Sequence, residues 1–258
     1  MAIQSLSRPA AIADLHTELV DYASRVEELR TPSEVLNQLH DVIARHLPLS
    51  VLGAARFPLT GNWDSLELGK SAFLHAAAPD GWWEEYSALA RGRFRPLLFL
   101  AATSLAPYTW TEVRRMFQPI GIETWTYELA LRHGMRDGFT CPVGGRWVVA
   151  FWSRKDLSKV ITTPMRIIIQ AAASFAALRL EQLADLHPSM IGSRTRLTPR
   201  ELAVLRLLST GTQFREVAHA LHLGEETVRS HLKKAQCKLG ARNRTQAVAE
   251  ALRQRLIP

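Results

Sequence analysis

The stretch EETVRSHLKKAQCKLG, residues 225–240, carries five side chains whose chemistry has a direction: Thr227, Arg229, Ser230, Lys233 and Lys234. At helical spacing they share one side, while Val228, Leu232, Ala235 and Leu239 share the other. A guanidinium forks onto guanine O6 and N7 or onto a phosphate, and an ammonium meets the same acceptors as a point charge. The two hydroxyls bond phosphate or base edges without adding charge. This face is built to recognise a polyanion. The chain's charge agrees: residues 197–258 hold 11 Lys and Arg against 5 Asp and Glu, giving +6 of a net +8 for all 258 residues. A cationic excess confined to one small region is the footprint of a protein that displaces counterions from phosphates.

A second chemically pointed stretch is RGRFRP, residues 91–96, followed by LLFLAA. Arg95 stands against Pro96 and an apolar run that reads as buried, where an unpaired charge is costly. Trp82, Tyr86, Phe94 and Trp110 lie nearby in sequence.

Other chemistries fail on spacing. Gly69-Lys70-Ser71 resembles the end of a phosphate loop, but Asp64 stands where that loop needs glycine. His219 and His222 have no carboxylate or cysteine to complete a metal set, so no metal site is expected. There is no GxSxG elbow, and neither Cys141 nor Cys237 has a partner at a recognisable spacing. An enzyme is not expected. Two distant cysteines, no basic start with an apolar h-region, and no run near the ~18 apolar residues of a membrane span suggest a cytoplasmic protein with no membrane contact.

The elements that must position these residues are marked by their ends. Thr31, Pro32 and Glu34 open one helix as a capping box, with Val35, Leu36, Leu39, Val42, Ile43 and Leu47 on its buried face. Thr163 and Pro164 open another, for which Ile167, Ile168, Ala171, Phe175, Leu178 and Leu183 are the expected core. Strands are expected over 51–57, 139–143 and 147–152, the last two joined at Gly144-Gly145, and helices over 82–91 and 111–133. Pro188, Gly192 and small polar residues place a linker at 188–196. Beyond it, Thr198, Pro199 and Glu201 start a helix ended by Gly211, a second runs 214–221, a turn at Leu223-Gly224 leads into the helix of 225–239, and a fourth covers 245–255. Two short helices joined by a glycine-containing turn form a helix-turn-helix whose next helix enters a major groove. The expected fold class is α+β: an N-terminal α-β-α sandwich with a mostly antiparallel sheet over 1–187, and an all-α four-helix domain over 197–258.

The segments LTPRELAVLRLLSTG, FREVAHALHL and TVRSHLKKAQCKLGARNRTQAV resemble the DNA-binding domain of the LuxR family of bacterial transcription regulators. That resemblance implies that the fourth helix, around Ala247 to Leu252, helps dimerise and that Asn243 and Arg244 approach the phosphate backbone. The spacing of Trp82, Tyr86, Pro96, Trp110 and Gly138 resembles the autoinducer-binding domain of quorum-sensing members, a sandwich around an acyl-homoserine lactone. By that resemblance the candidate ligand residues are Ala78, Trp82, Tyr86, Arg95, Trp110 and Ala150.

Three of the family's polar anchors are replaced. The residue before the proline is an aspartate that accepts the signal's amide N–H, and here it is Arg95, which has donors and no acceptor. Ala78 stands where many members carry tyrosine, and Ala150 where some carry a polar strand residue. Trp82, the family's donor to the lactone carbonyl, remains. Four readings of Arg95 follow: it pairs with a nearby acid such as Glu84 or Glu85 and fills the pocket, it anchors an anion or carbonyl of a different ligand, it leaves a lactone in an altered pose, or it lies at the surface on a loop outside the family alignment. The resulting expectation is a homodimeric, sequence-specific regulator with altered or lost acyl- or aryl-homoserine lactone recognition. Its partners would be an inverted-repeat duplex and, for an activator, RNA polymerase. The alternative is an antagonist that heterodimerises with a related regulator.

Overall fold

The computed structural model describes residues 9–57, 66, 68, 71–122, 125–186, 197–253, 256 and 257; the expected linker, 188–196, lies outside the described residues, as do Asp64, Gly69 and Lys70. The described residues form two compact units, one up to Leu186 and one from Leu197.

The N-terminal unit is a three-layer sandwich. Its five strands are β1 (Ser50–Arg56), β2 (Ala72–Leu74), β3 (Tyr108–Thr109), β4 (Asp137–Val143) and β5 (Trp147–Ser153), in the order β2-β1-β5-β4-β3 with every neighbour antiparallel. Gly144 and Gly145 both take left-handed backbone, φ 60° and 62°, which closes the expected hairpin between β4 and β5. Alternation along β5 assigns the two faces: Trp147, Val149 and Phe151 enter one core, while Val148, Ala150 and Trp152 enter the other.

The first core is covered by α1 (Pro9–Arg25), α2 (Pro32–His46) and α7 (Thr163–Leu186). The start of α2 follows its sequence, with one change. Thr31 Oγ1 accepts the Glu34 N–H, but the Glu34 carboxylate reaches past Thr31 to the N–H of Arg30 at 2.7 Å. On α7 the expected core face is largely the wrong one. Ile167, Ala171, Phe175 and Leu178 are exposed, and the helix buries Met165, Ile169, Ala172, Ala173, Ala176, Ala177 and Leu180 together with the expected Leu183. The alanines let the helix backbone approach the sheet closely, which larger side chains would prevent. By length and composition α7 could cross a membrane, yet its alanine face packs on α1, α2, β4 and β5.

The opposite face carries α3 (Trp82–Leu89), α4 (Pro96–Thr103), α5 (Trp110–Phe117) and α6 (Trp125–Arg132). The single helix expected over 111–133 is therefore two. A 3-10 turn at Gln118–Ile120 and Gly121 at φ 72° end the first, as Pro119 in a helical run would require. The run after Arg95 is also unlike its expectation: it is the short helix α4, in which only Pro96 and Ala101 are buried and Phe99 is 43% exposed.

The C-terminal unit is four helices, α8 (Pro199–Ser209), α9 (Phe214–Leu221), α10 (Glu225–Leu239) and α11 (Arg244–Arg253), around Val204, Leu205, Leu208, Val217, Val228, Leu232, Ala235, Ala247 and Ala251. The first helix opens with the expected reciprocal capping box of Thr198 and Glu201. The chain is thus mixed α+β, as its patterning indicates.

Candidate functional site

In the C-terminal unit the turn before α10 places one helix end against the next. The left-handed residue there is His222, at φ 52°, while Gly224 is extended and precedes the first turn of α10. Val228, Leu232 and Ala235 are buried; Thr227, Arg229, Ser230, Lys233 and Lys234 are all exposed on the other side. One face of α10 is therefore free to enter a groove, and it is the cationic one.

Two of the candidate cations are held by an aromatic ring that the sequence reading overlooked. The guanidinium of Arg229 lies 4.6 Å from the centroid of Phe214, at the start of α9, and that of Arg244 lies 5.6 Å from the same ring. Arg229 also sits 3.8 Å from Glu225 and 3.6 Å from Glu226, one turn back on its own helix. Asn243 Oδ1 accepts the Gln246 N–H at 2.8 Å and so caps α11, which positions Arg244 at the helix start.

In the N-terminal unit, Ala78, Trp82, Tyr86, Trp110 and Ala150 meet in one cluster, as the family spacing implies. All but Ala78 line a cavity of about 100 Å³ between the sheet and α3, together with Trp83, Leu97, Thr140 and Val148. Thr140 and Ala150 face each other across the β4–β5 ladder. The Trp110 indole donates to Thr140 Oγ1 at 3.1 Å and packs on Gly138, where a Cβ would come within 2.2 Å of the ring. Two other indoles are also satisfied, Trp125 by the carbonyl of Phe94 and Trp152 by that of Ala77, both at 3.0 Å. The Trp82 N–H has no acceptor among the described residues. Asp137, fully buried beneath the site, accepts backbone N–H groups from Thr111, Gly138 and Leu157, tying α5 and the segment after β5 to β4.

Arg95 stands apart from that cavity. It is 7% exposed, donates through Nη2 to the carbonyl of Ala90 at 3.0 Å, and its guanidinium lies 5.7 Å from the Tyr86 ring. Burial pushes the Tyr86 phenol up to about 12, with the charge and hydrogen bond of Arg95 pulling the other way. Glu85 is engaged by Arg132 at 2.6 Å and by His133 at 2.8 Å. Arg95 lines a second cavity of about 370 Å³ with Trp83, Tyr86, Ser87, Ala90 and Arg91, so Trp83 and Tyr86 are walls of both. Trp83 and Thr140 are among the lining residues that sequence reasoning missed. Trp83 is adjacent to a recognised tryptophan and Thr140 sits in a recognised strand, but neither belongs to the motif spacing.

Residues 49–147 match the autoinducer binding domain, and residues 195–251 match the luxR family of bacterial regulatory proteins. The chain is 31% identical over 250 residues to the transcriptional activator protein BjaR1 of Bradyrhizobium diazoefficiens, covering 95% of this chain and 98% of that protein. The chain belongs to the LuxR family. A further LuxR-type relative is the quorum sensing-dependent transcriptional regulator RpaR of Rhodopseudomonas palustris, 26% identical over 90% of this chain and 92% of its own length. Among solved structures, SdiA in complex with octanoyl-rac-glycerol has a similar fold, with a TM-score of 0.67 and 21% identity over 93% of this chain and 95% of that one. SdiA of Escherichia coli gives a TM-score of 0.64 at 22% identity, over 90% and 94%. As a LuxR-type quorum-sensing regulator the chain is a DNA-binding protein and not an enzyme, and its autoinducer-binding domain implies a small-molecule signal.

Proposed function

We propose that this LuxR-type regulator acts in the cytoplasm as a homodimer on an inverted-repeat operator, with recognition of acyl-homoserine lactones altered or lost. Residues 1–187 form the signal domain, 188–196 the linker and 197–258 the DNA-binding domain. The observation that carries the DNA-binding reading is the exposed cationic face of α10, in which Arg229 and Lys233 reach base edges while Lys234, Thr227 and Ser230 meet phosphates or bases. Asn243 and Arg244, at the start of α11, add backbone contacts. A regulator that activates would also contact RNA polymerase. The antagonist alternative has no observation in its favour.

The reading of the signal site rests on Arg95. An amide N–H brought to it would meet donors only, and a buried unsatisfied donor costs about 1–3 kcal/mol. The free indole N–H of Trp82 still suits a carbonyl. SdiA, of similar fold, holds octanoyl-rac-glycerol, a ligand without a lactone, which supports a cavity of this kind accepting other head groups.

The DNA reading is tested by selecting duplexes from a random library with the full-length protein and measuring gel shifts. Enrichment of a two-fold symmetric site is expected; recovery of no sequence preference overturns it. The signal reading is tested with Arg95→Asp, which restores the family's acceptor. Lactone-induced thermal stabilisation should be absent or weak in the parent and larger in the variant. Strong stabilisation of the parent by an ordinary acyl-homoserine lactone would show that recognition is unaltered.

A further inference from the structure

His40 of α2 and His75, the residue after β2, stack with ring centroids 4.3 Å apart and planes 28° from parallel. Both rings act as acceptors. His40 Nδ1 takes the N–H of Val51 at 3.2 Å, and His75 Nδ1 takes that of Ala77 at 3.0 Å. The pair sits at the β-bulge of β1 between Val51 and Gly53, where the carbonyl of Leu52 accepts the His75 N–H at 3.0 Å. An imidazole that accepts at Nδ1 is neutral, with its proton on Nε2; protonation turns the accepting atom into a donor that faces a backbone donor. Two protonated rings at this separation would also repel each other. Burial, with the neighbouring ring adding to it at His75, outweighs the field of Asp41 on α2, and so holds His40 below the usual imidazole range and His75 at about 4. Of other charged groups among the described residues, Asp80, further along the loop, is exposed, and Arg154, past β5, lies against the Trp152 ring at 5.8 Å.

The loop that His75 begins is the approach to α3. The Ala78 N–H returns to the His75 carbonyl at 2.9 Å, the Ala77 carbonyl accepts the Trp152 indole at 3.0 Å, and the Pro79 carbonyl accepts the Trp82 backbone N–H at 3.2 Å. Ala78 and Trp82 both belong to the signal-site cluster. The stacked pair thus pins to β1 and α2 the segment that sets where α3 starts.

We propose that His40 and His75 form an acid-operated latch on the signal domain: neutral, they hold residues 75–79 in place; protonated, they release that loop and with it the start of α3. The latch does not depend on what Arg95 does to lactone recognition. Its hold is complete above the ordinary imidazole value, about 6.5, and weakens as pH falls from there toward the native value of His75, about 4.

The test is hydrogen exchange of the full-length protein, followed by mass spectrometry at pH 7.5 and pH 5.0 with rates corrected for intrinsic exchange. Opening of the segment 75–82 should become roughly ten- to thirtyfold more frequent at pH 5.0, while the C-terminal unit is unchanged. His75→Asn keeps an acceptor for the N–H two residues on, as an Asx turn does, and cannot titrate. Combined with His40→Asn, it should make protection of 75–82 the same at both pH values. An unchanged segment in the parent, an acid response that survives in the double variant, or one spread evenly over the whole N-terminal unit overturns the proposal. Should the double variant not fold, long-range ¹H–¹⁵N spectra of the parent decide: both rings neutral with the proton on Nε2 at pH 7.5 are expected, and a ring already charged there overturns the latch.

Discussion

Lys238 Nζ stands 2.8 Å from the Glu201 carboxylate, a group only 2% exposed, and so the pair ties the last turn of α10 to the first turn of α8. Burial raises the carboxyl, but Lys238 and the Thr198 N–H outweigh it and hold Glu201 below the usual carboxylate range. A carboxylate with a depressed native pKa stabilises the fold at pH above its unfolded value, about 4.3, and that contribution is lost as pH falls through the native value. Acid unfolding of the parent should therefore steepen below about pH 4.3, and Glu201→Gln should flatten it. Lys238→Met, which removes the carboxylate's charged partner and leaves it the Thr198 N–H, should cost about 1–3 kcal/mol, less than a fully buried pair because Lys238 is partly exposed. Urea unfolding across pH measures both.

Substitutions on the outer face of α10 should separate reading from holding. Arg229→Ala or Lys233→Ala should cost about 1–3 kcal/mol of operator affinity where the contact is to a base, with unfolding unchanged. A phosphate-binding lysine such as Lys234 should instead weaken all sequences alike and lower the salt slope by about one. Phe214→Leu should leave the fold intact and reduce operator affinity through the loss of the ring beneath Arg229 and Arg244. Fluorescence anisotropy over a salt series distinguishes these cases.

We place an interface of the proposed homodimer on the exposed apolar stripe of α7, in addition to the contribution that the family resemblance gives to the fourth helix of the C-terminal unit. Ile167 and Phe175, 66% and 45% exposed, line an apolar groove with Val20 and Ala23 of α1, and Leu178, further along α7, is 58% exposed. Phe175→Glu or Leu178→Arg should yield a monomer in sedimentation equilibrium, with far-UV circular dichroism unchanged because neither residue is in the core. A dimer that survives both substitutions would place the interface elsewhere.

Asp137→Ala should be among the most damaging single substitutions in the N-terminal unit. It leaves the N–H groups of Thr111, Gly138 and Leu157 without their acceptor. At about 1–3 kcal/mol for each buried unsatisfied donor, a loss above about 3 kcal/mol is expected. Asp137→Asn, which keeps one oxygen, should lose less. Denaturant midpoints of the two variants rank them.

Much of this was legible in the sequence because ends of elements are written in few residues. Thr198-Pro199-x-Glu201 and Gly240 delimit helices through local hydrogen bonds, and the polar face of α10 is set by spacing alone. The misreading of α7 has a different origin. That helix has apolar residues on both sides, and periodicity cannot tell which side the sheet covers; the answer lies in the alanines, whose small size permits close packing and carries little hydrophobic signal. The burial of Arg95 was readable from its neighbours, but what satisfies it was not, because that depends on the carbonyl of Ala90 and the ring of Tyr86 converging in space.

Trp110, a wall of the cavity, rests on Gly138, so a backbone atom sets where that wall stands. Any side chain at position 138 would lift the indole and move the floor of the cavity, so this dimension is closed to gradual mutation. The opposite holds at Ala150, across the ladder from Thr140, where a methyl group can grow into a hydroxyl or a branched chain without disturbing a turn. Drift in what such a regulator senses therefore has a permitted direction: it proceeds from the alanine side of the cavity, while the glycine side keeps the tryptophan where it is.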